Sequence, residues 1–230
     1  MAQYELQRKI KIKWSPDFAY AIGLITSDGY LASNGRHIGF VSKEIELIEN
    51  FKSALSLNNK VTPCASIKPP YRKWFVVKFG DKVFYQFLNK IGLSRTKSKI
   101  IKSVKVPRKF FVDFTRGLFD GDGSFYSYWD KRWPKSFGFK LSFASASPDF
   151  INWLKGELSC LYGVKGYIHK GDGVLNLEYV KGDSKRLFCV MYEKKSILYL
   201  ERKYQKMKMA IEQDEVLGLS YLQKHQRAPG

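Results

Sequence analysis

The chain is poor in the residues that staple or switch small proteins. Its 230 residues include only three cysteines and three histidines. Cys64, Cys160 and Cys189 are far apart and odd in number, so neither a disulfide framework nor a zinc motif is indicated, and a reducing compartment fits. His37, His169 and His225 share no metal-ligand spacing and read as surface or groove residues. No apolar run approaches the ~20 residues that span a bilayer, and no secretory signal opens the chain. A soluble intracellular protein of the cytoplasm or an organelle matrix is expected, with no membrane partner. Acid is scarce too: 21 Asp and Glu stand against 40 Lys and Arg, a net charge of +19. Such a surplus points to a polyanion, with nucleic acid foremost. The basic residues are spread along the chain and form no long tail, although Arg8 to Lys13 has the form of an N-terminal arm. With 44% hydrophobic and 16% aromatic residues the chain can bury a sizeable core, which excludes general disorder.

Against this background one pattern occurs twice. Gly23-Leu24-Ile25-Thr26-Ser27-Asp28-Gly29 and Gly117-Leu118-Phe119-Asp120-Gly121-Asp122-Gly123 both run from an apolar stretch into Asp-Gly. Ser15-Pro16-Asp17 supplies an N-cap, a first-position proline and a first-turn acid, so a helix starts before the first copy. Gly29 and Gly123 are expected to take a left-handed conformation at the helix end, which leaves Asp28 and Asp122 in the last turn. There the macrodipole is negative, and a carboxylate costs about 0.3–1 kcal/mol beside carbonyls that lack intrahelical donors. A divalent cation reverses that sign, because hard cations take carboxylate and carbonyl oxygens. Gly23 and Ser27, like Gly117 and Gly121, lie four apart and give each helix a strip of small residues. Two such strips allow close, parallel packing, which would bring both acids to one end. A single Asp-Gly after an apolar helix is ordinarily a turn, as Gly171-Asp172-Gly173 is expected to be. Nor is Asp120 the start of an EF-hand loop, since Phe125 stands where that loop requires glycine.

The pair resembles the two signature helices of the LAGLIDADG homing endonucleases in their single-chain, two-motif form, over about Ser15 to Lys208. The resemblance implies that Asp28 and Asp122 are metal ligands and catalytic acids, joined by the carbonyls of Ser27 and Gly121. Thr26 departs from the motif's first acid, which Asp120 keeps; that position is not a metal ligand in the family. One lysine per half is also implied near the scissile phosphates. Lys97 fits the first half and Lys203 the second, with Lys195 a rival. The implied cofactor is Mg²⁺ or Mn²⁺, with Ca²⁺ binding but not supporting cleavage. The implied partner is a long double-stranded DNA target, cut by a monomer; host intron RNA is the other candidate partner. An RNA-splicing maturase or an inert DNA-binding regulator on the same scaffold stays open as the alternative. No splicing cysteine stands at either end, an expectation against an intein setting.

The expected fold is α+β, an αββαββα order present twice and divided near residue 104 into halves 1–104 and 105–230. In the first half, strands are expected at 30–32, 36–42, 60–68 and 72–79 and helices at 43–57 and 82–91. In the second, strands are expected at 124–130, 137–144, 164–170 and 174–181, with helices begun at Ser147 and near Ser184. Gly80-Asp81-Lys82 and Gly182-Asp183-Ser184 should open equivalent helices, and Ser94 to Val106 reads as a basic linker before a helix begun at Pro107. In Phe137 to Ala144, Phe137, Phe139, Leu141 and Phe143 alternate with polar residues, so one face is core. Lys140 and Ser142 share the wet face. By the same alternation Arg72, Lys78, His169 and Asn176 are placed towards a major groove, where such side chains contact base edges or phosphates.

Overall fold

A computed structural model describes residues 10–66, 72–96, 100–193 and 197–225, with side chains to 218. The first half runs α1 (Pro16–Ser27), β1 (Gly29–Leu31), β2 (His37–Ser42), α2 (Ile45–Leu55), β3 (Val61–Ala65), β4 (Lys73–Gly80) and α3 (Lys82–Lys90). After a 3₁₀ turn at Arg108–Phe110, the second repeats the order. It runs α4 (Phe111–Asp122), β5 (Ser124–Trp129), β6 (Phe137–Ser145), α5 (Pro148–Tyr162), β7 (Tyr167–Lys170), β8 (Leu175–Val180) and α6 (Lys181–Tyr192). The expected duplicated αββαββα fold is present, and α7 (Glu201–His225) follows it, a 25-residue helix that the sequence did not suggest.

Each half builds one antiparallel four-stranded sheet, in the orders β1-β2-β4-β3 and β5-β6-β8-β7. The alternation in β6 is obeyed, since Phe139, Leu141 and Phe143 are buried, while Phe137 packs at the edge of the core. The Gly171-Asp172-Gly173 hairpin is also present, with Gly171 donating to Val174 O and Gly173 at φ +69. One core runs through both halves. It joins Phe40 stacked on Phe51 in the first to Phe111, Phe114 and Trp153 in the second.

Helix starts follow the cap chemistry in part. Ser15 and Ser147 accept from the N–H groups of Phe18 and Phe150, and Asp81 accepts from Phe84 N–H. Asp183 does not play Asp81's part. It accepts from Lys165 N–H, while α6 begins two residues earlier without a side-chain cap. Two anchors place α7. Asn50 donates to Tyr199 O, and Arg202 pairs with Glu44 at 2.9 Å, both across the two halves. Farther along, Asp214 takes Lys181 at 2.5 Å and Lys185 at 2.8 Å. Among the described residues no helix is long and apolar enough to cross a membrane.

Candidate functional site

The two motif helices lie against each other with almost nothing between them. A Cβ on Gly23 would lie 2.2 Å from Phe114 O, and one on Gly117 would lie 2.1 Å from Tyr20 O. One on Gly121 would lie 1.9 Å from Ser27 Oγ and 3.0 Å from Asp28 Oδ2. Partners ascend together along both helices, so α1 and α4 are parallel, and the ends that carry Asp28 and Asp122 coincide. Side-chain height sets the distance between helix axes, so this approach needs the glycines.

The left-handed turn expected at Gly29 and Gly123 is absent. Among the described residues positive φ is confined to Gly35, Ser56, Gly92, Gly163 and Gly173; Gly123 is extended at φ −67, ψ 152. The glycines are required for space, because a Cβ on Gly29 would lie 2.6 Å from Ile25 Cα and one on Gly123 2.6 Å from Phe119 Cα. The chain turns straight from helix into strand over the helix's own last turn. That turn starts β1 and β5 beside the acids.

Asp122 ends α4, and Asp28 caps α1 with its N–H donating to Leu24 O. Lys203 lies at the end of α4. Its Nζ lies 2.6 Å from Phe119 O, 2.8 Å from Asp120 O, 3.0 Å from Gly121 O and 2.6 Å from Gly123 O. Phe119 O already accepts from Gly123 N–H, so the three N–H groups of the ammonium chiefly serve Asp120 O and Gly121 O, which the helix end leaves over, and Gly123 O beyond it. Burial pulls the Lys203 pKa down to about 8, against the pull of Asp120, Asp28 and Asp122, which favour the charged form. Gly121 O keeps a second lone pair.

Asp120, the motif's first acid, acts as a strut. Its Oδ2 accepts from Tyr20 OH and from Leu200 N–H, both at 2.8 Å. The first contact ties α4 to α1; the second holds the chain just before Lys203. Burial raises the Asp120 pKa to about 6, although Tyr20, Lys203 and Leu200 N–H each favour its anion. The same burial, with Asp120 adjacent, holds the Tyr20 phenol well above its usual value. Arg116 is fully buried beside them. It pairs with Asp113 at 2.9 Å and donates to Leu198 O and Met191 O. Thr26, at the matching place in the first motif, turns back to Ile22 O. Neither Tyr20 nor Arg116 was singled out in the sequence, since no local pattern shows that their partners Asp120, Leu198 and Met191 lie against them.

A cavity of about 640 Å³ joins this centre to the sheets, lined by Asp28, Ser42, Arg72, Trp74, Ser124 and Lys203. A smaller one of about 260 Å³ is lined by Ser27, Asp122 and Ser145. Among the described residues no three His, Cys, Asp or Glu side chains cluster to cage a metal. The oxygen donors here are two separate carboxylates beside backbone carbonyls. That set suits a hard cation completed by water and phosphate, the usual manner of Mg²⁺. Lys97 and its counterpart candidate Lys195 lie outside the described residues.

The remaining residues picked for DNA contact fall on the outer faces of the sheets. Lys78 stands on β4, its Nζ 5.9 Å from the centre of the Tyr30 ring, and Arg72 precedes that strand in the same alternation. On the second sheet Lys140 pairs with Glu178 at 3.0 Å, and Ser142 Oγ meets Ser124 Oγ at 2.7 Å. His169 Nε2 is 3.7 Å from Glu178 Oε1, and Asn176 is the register partner of His169. Structure therefore groups Lys140, Ser142, His169 and Asn176 on one face.

No protein-family model and no curated protein matches the sequence. Solved structures do match. The homing endonuclease I-WcaI bound to its DNA recognition sequence is similar over 86% of this chain and 88% of its own, at 13% identity and TM-score 0.64. The LAGLIDADG homing endonuclease I-GzeII in complex with a DNA target is similar over 93% of both chains, at 13% identity and TM-score 0.58. Full-length DUF199/WhiA from Thermatoga maritima is similar over 94% of this chain and 69% of its own, at 14% identity and TM-score 0.55. This chain has the duplicated LAGLIDADG fold.

Proposed function

We propose that the protein is a site-specific double-strand DNA endonuclease that hydrolyses one phosphodiester bond on each strand across the minor groove, with Asp28 and Asp122 as its acids. The observation that carries this reading is the close parallel pair α1 and α4, which brings both acids to one end of a chain with net charge +19. Support comes also from the DNA-bound proteins that share the fold. Residues 1–104 and 105–230 form the two halves in this reading. Both acids come from one chain, which favours a monomer.

The acids, with Ser27 O and Gly121 O, would hold divalent cations, Mg²⁺ or Mn²⁺, whose charge would stabilise the scissile phosphates and the oxygens attacking and leaving them. The protein's own part is placement. Asp120 holds Leu200, so that Lys203 projects its ammonium at the end of α4, within the electrostatic reach of Asp28 and Asp122. A cation so placed stabilises developing negative charge on phosphate oxygens. Lys97 takes the corresponding role in the first half. Arg72, Lys78, Lys140, Ser142, His169 and Asn176 contact the duplex from the sheets, reading bases or fixing the backbone.

A second reading, a nucleic-acid-binding protein without cleavage, draws on one observation: the Lys203 ammonium already occupies the carbonyls of α4, Gly121 O among them. Host intron RNA is its natural partner. Selection of cleaved sites from a random double-stranded library with Mg²⁺ decides between the two. Asp28→Asn and Asp122→Asn should each abolish double-strand cleavage of a selected site while binding stays within a few fold. Cleavage by the double variant would overturn the mechanism, and binding without cleavage by the wild type would favour the second reading.

A further inference from the structure

The outer faces of the two sheets differ in one respect. On the first, the register sets Tyr30, His37, Gly39, Val41, Thr62 and Cys64 beside Trp74, Val76 and Lys78, and no acid is among them. On the second, the same reading of register finds one acid, Glu178, between Ser142 on β6 and Tyr167 on β7. A carboxylate in the middle of a face turned to a polyanion is repelled by phosphate, so its presence needs a cause. Neutralisation by Lys140 at 3.0 Å offsets part of the charge, and His169 Nε2 stands 3.7 Å from the other carboxylate oxygen. Neutralisation does not account for the position, because an uncharged residue would leave a more attractive surface.

We infer that Glu178 is a base-reading residue that accepts a hydrogen bond from the N4 amino group of a cytosine in the major groove. The inference rests on the DNA-binding reading above. Cytosine is the base that presents a lone amino donor to that groove, and a carboxylate matches it. Adenine adds an acceptor beside its donor, and guanine and thymine present acceptors that repel the carboxylate. Glu178 stands two residues from the strand's end at Val180, with a side chain about one quarter exposed. Lys140 holds Oε2 by a hydrogen bond of 3.0 Å and the His169 ring stands beside Oε1, so the carboxylate is oriented before DNA arrives. Preorganisation of that kind converts a contact into discrimination. Glu178→Gln keeps the shape and adds an amide donor, which converts the match from cytosine to adenine.

The test is selection of bound sites from a randomised double-stranded DNA library, with Ca²⁺ in place of Mg²⁺ so that binding alone is read. Wild type, Glu178→Gln and, as a charge control on α7 where Glu212 pairs with Lys208, Glu212→Gln are compared. The wild type should require C·G at one position in one half of the site. Glu178→Gln should lower the preference for C·G there by roughly 5- to 150-fold and favour A·T, with every other position unchanged. Glu212→Gln should select the wild-type site. If Glu178→Gln selects the wild-type site with merely altered affinity, Glu178 is a neutraliser of its neighbours and the inference fails alone. If the wild type selects no double-stranded site, the reading on which it rests fails first.

Discussion

Gly117 has no room for a side chain: its missing Cβ would lie 2.1 Å from one backbone oxygen and 3.2 Å from Gly23 Cα. Backbone cannot swing aside as a long side chain can, so alanine there must push α1 and α4 apart. Overpacked cores usually lose about 1–3 kcal/mol, and a clash with backbone on both sides belongs at or above the top of that range. Gly117→Ala should therefore unfold at a denaturant midpoint lower by an amount worth about 3 kcal/mol. Gly156→Ala, at an exposed helical glycine whose added Cβ meets nothing within 4 Å, should be neutral or stabilising. Equal midpoints for the two variants would show that the helix pair is looser than its geometry here. Lys203 and Asp120 make a related point, since each satisfies groups that lie far from it in sequence. The resemblance could single out Lys203 as one lysine of its half but could not say whose carbonyls it meets.

Among the elements, α7 shows how a helix of mostly polar sequence is held. Met207 and Ala210 enter the core, Ile211 packs against it, Tyr204 packs on Phe188, Tyr192 and Tyr199, and ion pairs add to that hold. Partial burial works against ionising Asp214, but hydrogen bonds from Lys181 and Lys185 outweigh it and keep the pKa below the usual carboxylate value. The sign follows by linkage. A carboxyl whose folded pKa is depressed contributes stability that is present above the unfolded value, ~3.9, and lost as pH falls through the folded one. Thermal melts of wild type and Asp214→Asn should thus differ most near neutral pH and converge towards about pH 2. A gap that stays constant across that range would mean that the ion pairs do not hold α7. Strand and helix order elsewhere was legible because alternation and cap residues are local signals. The last helix was not, since its apolar positions are few and its partners, Glu44, Lys181 and Lys185, lie outside it.

The molecule as a whole carries its charge surplus on one continuous core, with both sheets and the linker bearing basic residues. Binding to a duplex through phosphate contacts releases counterions, so affinity must fall steeply with salt. For six or more phosphate contacts, the dissociation constant for a selected DNA site should rise roughly 10³-fold between about 50 and 200 mM salt, linearly on logarithmic axes. Fluorescence anisotropy over that range measures the slope, and a flat line would rule out a phosphate-tracking surface. Lys140→Gln should reduce the slope less than Arg72→Gln, because Lys140 already has Glu178 as a partner.

Sequence by itself determined the duplicated order of elements, the two helices that end in Asp-Gly, and which strand positions face the core. All of these rest on periodicity, caps and composition, which act within a few residues. It could also say that small residues line both motif helices, though it assigned the terminal glycines to a left-handed turn. Only the tertiary structure decided that Gly29 and Gly123 are there for lack of space. The same holds for the ties from Asp120 to Tyr20 and Leu200, for Lys203 against the carbonyls of α4, and for Glu178 between Lys140 and His169. Each of these is a contact between residues distant in the chain, set by how the halves close on one another, and no local pattern encodes that distance.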